Sequence, residues 1–83
     1  MQTVQLEIPE EPLLSLKETP QEFAKEIKLL AAIKLFELER LSSGRAAQLA
    51  GIPRVVFLMK LNEYRVSPMI LTRESLQHDI ENA

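Results

Sequence analysis

The residue types that perform chemistry are thinly represented in this 83-residue chain. His78 is the single histidine and cysteine is absent, which excludes thiolate nucleophiles, sulfur-ligated zinc and disulfide staples. Asp79 and Glu81 stand close to His78, yet a metal site needs its ligands on one face. Positions one and three residues further along a helix converge only in part, so His78 reads as a solvated helix residue. Neither a Gly-rich phosphate loop nor a serine elbow is present. The inventory predicts a protein that binds rather than catalyses, with no cofactor and no metal.

What remains is the chemistry of charged and apolar surfaces. The formal charge is -2, which sets the chain apart from wholly electrostatic nucleic-acid binders. The charge is unevenly spread, however. Side chains of residues 1–41 sum to -3, those of 42–68 to +3 and those of 69–83 to -2. The positive segment holds Arg45, Arg54, Lys60 and Arg65 against Glu63. Arg45, Arg54 and Lys60 are the candidate phosphate contacts, able to hold DNA without reading its sequence.

Those cations fall on a helix-turn-helix pattern. Ser42 or Ser43 offers an N-cap, residues 44–50 read as a short helix of small residues, and Gly51 reads as its C-cap. Residues 53–64 read as the second helix, with Val56, Phe57, Leu61 and Tyr64 inward. Its outer face carries Arg54, Val55, Leu58, Met59 and Asn62. A base reader needs polar hydrogen-bonding groups there, and three of the five are apolar, which favours contact with protein.

Upstream, Val4, Leu6 and Ile8 alternate with polar residues, the period of a strand with one buried face, ended by Pro9. Thr3, Gln5 and Glu7 would then face outward; Glu7 argues against their lying in a DNA groove, and sealing a dimer is the better reading. Residues 10–16 make a turn or two of helix. Thr19, Pro20 and Glu22 form the start signal of a long helix running to about Leu41. Two apolar stripes lie along it: Phe23, Ile27, Leu30, Ala31, Leu38 and Leu41 on one face, and Leu29, Ile33 and Phe36 on another. Two faces imply two neighbours. The expected dimer residues are therefore Val4, Leu6, Ile8, Leu29, Ile33 and Phe36.

Residues 66–71 read as an extended apolar stretch, with Thr72 capping a last short helix through Leu76 and Ile80. The stretch either folds back onto residues 3–8 or serves as an arm for a partner, in which Met69, Ile70, Leu71 and Arg73 make the contact. The expected fold is mainly α: a short N-terminal strand, a long central helix, a helix-turn-helix, and a short C-terminal strand and helix. Its units are 1–41 for dimerisation, 42–66 for the helix-turn-helix and 67–83 for partner binding. At 46% hydrophobic and 27% charged residues, the chain should fold. It carries neither an apolar run of the roughly 18 residues that span a bilayer nor a signal-peptide pattern, and with no cysteine it is expected to be cytoplasmic.

The run Leu41-Ser42-Ser43-Gly44-Arg45-Ala46-Ala47-Gln48-Leu49-Ala50-Gly51-Ile52, then Arg54, Phe57-Leu58, Leu61, Tyr64 and residues 66–71, resembles uncharacterised protein family (UPF) 0175. These are small prokaryotic antitoxin-like proteins associated with PIN-domain toxins. The amino-terminal segment, the Ile8-Pro9-Glu10-Glu11 turn and the Ala31-Ala32 helix fit as well. The strand and capped long helix are also similar to a ribbon-helix-helix half with a contracted first helix. Pro53, Val55 and Met59 depart from the family's more polar pattern. The resemblance implies a homodimeric antitoxin-like regulator of a type II toxin–antitoxin pair, inhibiting a PIN-domain ribonuclease through its C-terminal arm and contacting DNA through the helix-turn-helix or ribbon. Arg73 or Arg65 would enter the nuclease's carboxylate cluster. The alternative is a helix-turn-helix transcriptional regulator with no toxin partner.

Overall fold

Thr19 starts the longest helix by a reciprocal exchange of hydrogen bonds. Its hydroxyl accepts from the Glu22 backbone N–H at 3.2 Å, and the Glu22 carboxylate accepts from the Thr19 N–H at 3.4 Å. With Pro20 at the first helical position, the orphan donors there are satisfied or absent. In the computed structural model, which describes residues 1–66 and Ile70, the elements are α1 (Glu10–Leu16), α2 (Pro20–Glu37), α3 (Ser43–Ala50) and α4 (Arg54–Glu63). Ser42 is the cap of α3, its hydroxyl accepting from the Arg45 N–H at 3.2 Å.

All four helices end in the same closure. A left-handed residue donates to the carbonyl three back, and its successor donates to the carbonyl five positions before it. The pairs are Lys17 to Leu14 with Glu18 to Leu13, Glu39 to Phe36 with Arg40 to Leu35, Gly51 to Gln48 with Ile52 to Ala47, and Arg65 to Asn62 with Val66 to Leu61. Only Gly51 is a residue that favours this conformation; Lys17, Glu39 and Arg65 adopt φ of 57°, 60° and 56° against a side-chain penalty. Glu39 therefore stops α2 at Glu37, four residues short of the expected end.

The core sits where the second half of α2 meets α3 and α4. Ala32, Ile33 and Phe36 pack with Ala46 and Ala47 of α3, Phe57 and Leu61 of α4, and Ile70. The alanines let the helix axes approach, and the Phe57 ring meets Phe36 edge-on at 5.9 Å between centroids. Such a pair adds about 0.5–1.5 kcal/mol beyond its area burial. α1, by contrast, contributes no buried residue.

The expected N-terminal strand is not there. Residues 1–9 form no regular element, and Val4 and Leu6 are 79% and 64% exposed. A strand's backbone groups need a neighbouring ladder, and no strand occurs among the described residues to provide one. The ribbon-helix-helix half goes with it. Of residues 66–71, only Val66 and Ile70 are described; Ile70 is helical and buried, which overturns the extended reading there. The helix expected after Thr72 lies outside the described residues. Within α2, the Leu29, Ile33 and Phe36 stripe turns toward α3 and α4, whereas Leu30 and Leu38 of the other stripe stay exposed. Val56 and Tyr64, expected inward, are exposed as well.

One local conflict stands beside the α2 cap. Glu18 and Glu26 bring their carboxyl groups together there, each with one oxygen, Oε2, shielded from water. Hydrogen bonding between the two carboxyls, partial desolvation and the charges of Glu26 and Glu22 all hold Glu18 above its ordinary pKa of 4.5. The folded chain thus keeps a proton that the unfolded chain releases. Stability contributed by this pair is present at low pH and is lost as pH rises through the raised value. Thermal melts should show Glu18→Gln more stable than wild type at pH 7, with the gap closing near pH 4; an equal gap at both values would remove the carboxyl pair as its cause.

The helix closures make a second prediction. Arg65→Gly should stabilise the chain by about 1 kcal/mol in urea melts, by relieving the left-handed side-chain penalty. Gly51→Ala should cost about 1 kcal/mol for the same reason in reverse, since a methyl there meets nothing within 4 Å.

Candidate functional site: the outer face of the helix-turn-helix

α3, the Gly51 turn and α4 form the unit that the sequence marks for function. Ala46 and Ala47 fix α3 against α2, Ile52 is half-buried at the turn, and Phe57 and Leu61 anchor α4 from within. Anchoring on that side turns Val55, Met59 and Asn62 outward, with Leu58, half-buried against the core, on the same helical face. Val55 is 69% and Met59 62% exposed. With Glu63 these residues line an open groove of about 470 Å³.

The groove is lined mostly by hydrocarbon and thioether, with Asn62 and Glu63 at one end. Among the described residues no group of three or more His, Cys, Asp or Glu is placed to hold a metal ion; His78, Asp79 and Glu81 lie outside them. The face can exclude water from an apolar partner, and it offers one amide for a base edge.

Each candidate phosphate contact has a neighbour of its own. Arg54 Nε donates to the Ser43 hydroxyl at 2.8 Å, tying the start of α4 to the first turn of α3. Ser43 is buried, so this hydrogen bond lies at the helix junction. Arg45 Nη1 donates to Gln48 Oε1 at 3.1 Å, and Lys60 pairs with Glu63 at 3.3 Å. Arg45 and Ser43, the partner of Arg54, both belong to the first turn of α3, while Lys60 sits further along α4. The sequence reading missed Ser43 as the partner of Arg54, although an arginine at the start of one helix and a serine at the start of the preceding one were both visible.

The dimer and toxin candidates divide sharply. Val4, Leu6 and Ile8 are exposed and Leu29 is half-buried, but Ile33 and Phe36 are inside the chain's own core at 5% and 1% exposure. They cannot form a seam with another molecule. Ile70 is 6% exposed in the same core and is not available to a toxin. Met69, Leu71 and Arg73 lie outside the described residues. Leu14 and Leu16 of α1, expected with Leu13 to anchor that short helix, are 73% and 51% exposed, while Leu13 is half-buried.

No helix among the described residues is long and apolar enough to cross a membrane. Neither a curated protein nor a solved structure matches the chain. A family model described as "Uncharacterised protein family (UPF0175)" matches residues 1–83. Matched along its whole length, the chain belongs to the uncharacterised protein family UPF0175.

Proposed function

We propose that this protein is a non-enzymatic, homodimeric, antitoxin-like regulator that binds and inhibits a PIN-domain ribonuclease in the cytoplasm. The observation that carries the reading is the chemistry of α4. The face a DNA-reading helix would present to bases is built from Val55, Leu58 and Met59, and apolar faces of this kind desolvate against protein. The exposure of Val55 and Met59 on that face supports a protein partner in the same sense. The chain belongs to the uncharacterised family UPF0175, and the antitoxin part of the reading comes from the resemblance drawn from the sequence. The C-terminal arm, with Met69, Leu71 and Arg73, is the part assigned to the nuclease. Arg73 would occupy the carboxylate cluster that holds the nuclease metal, as a fixed positive charge in place of the cation.

A second reading, a DNA-binding regulator without a toxin, is favoured by the +3 side-chain charge of residues 42–68. Arg45 is its best phosphate contact, exposed on the first turn of α3. Arg54 is committed to Ser43 and Lys60 to Glu63.

The readings separate in two assays. RNA cleavage by a PIN-domain ribonuclease encoded beside this gene should fall on adding the protein. Arg73→Ala should weaken that inhibition by tenfold or more; unchanged inhibition removes Arg73, and an absent nuclease or no inhibition overturns the antitoxin reading. In gel shifts, the regulator reading predicts binding that weakens steeply with salt, with Arg45→Ala lowering the slope of log K against log salt by about 1. DNA retention that is absent at low salt would eliminate that second reading.

A further inference from the structure

We draw no further inference here: the strongest candidate, the apolar groove on the outer face of α4 lined by Val55, Leu58, Met59, Asn62 and Glu63, carries nothing, because nothing in the structure shows what covers it.

Discussion

The edge-on meeting of Phe36 with Phe57 is the contact on which this small fold depends. The largest fully buried side chains of the described residues are those two rings and Ser43, and around them only alanines, Ile33, Leu61 and Ile70 complete the core. Because the rings belong to α2 and α4, the contact fixes the helix-turn-helix against the long helix. It also decides the direction in which α4 looks. With Phe57 and Leu61 drawn inward, Val55 and Met59 must face outward. The Arg54 to Ser43 hydrogen bond then closes the α3–α4 junction from the other end.

So small a core cannot quench the apolar residues that remain. Long, strongly buried domains hide most of the surface their chains expose, and chains of this length hide less. Among the described residues, exposed apolar side chains remain on each element: Leu14 and Leu16 on α1, Leu30 on α2, Leu49 on α3, and Val55 and Met59 on α4. The interior that the chain builds holds α3 and α4 at fixed directions against α2.

The helix ends show how backbone conformation shapes the chain without help from glycine. Four left-handed closures redirect it, and three of them place Lys17, Glu39 and Arg65 where only hydrogen bonding to the preceding turn offsets the side-chain penalty. One consequence is the short, sharply turned link between α2 and α3, which brings Ala46 and Ala47 against Ala32 and Ile33.

The amino-acid sequence by itself determined the helix starts and the helix-turn-helix. Caps at Thr19 and Ser42, Pro20 at the first helical position and Gly51 in its left-handed turn are local interactions within a few residues, and their chemistry is legible in one dimension. It also marked Val55, Leu58 and Met59 as outward apolar positions and gave the charge of each segment. The tertiary structure alone decided which of the two α2 stripes is internal, that Ile70 belongs to the core, and that Arg54 is spent on Ser43. It also decided that residues 3–8, with the right alternation for a strand, form none. Periodicity specifies that a face seeks cover, but what covers it is set by distant parts of the chain competing for the same surface, and a ladder of hydrogen bonds needs a second strand that no local pattern can provide. For the same reason α2 ends at Glu37: the left-handed turn at Glu39 is held by its hydrogen bonds, not by the identity of its side chain.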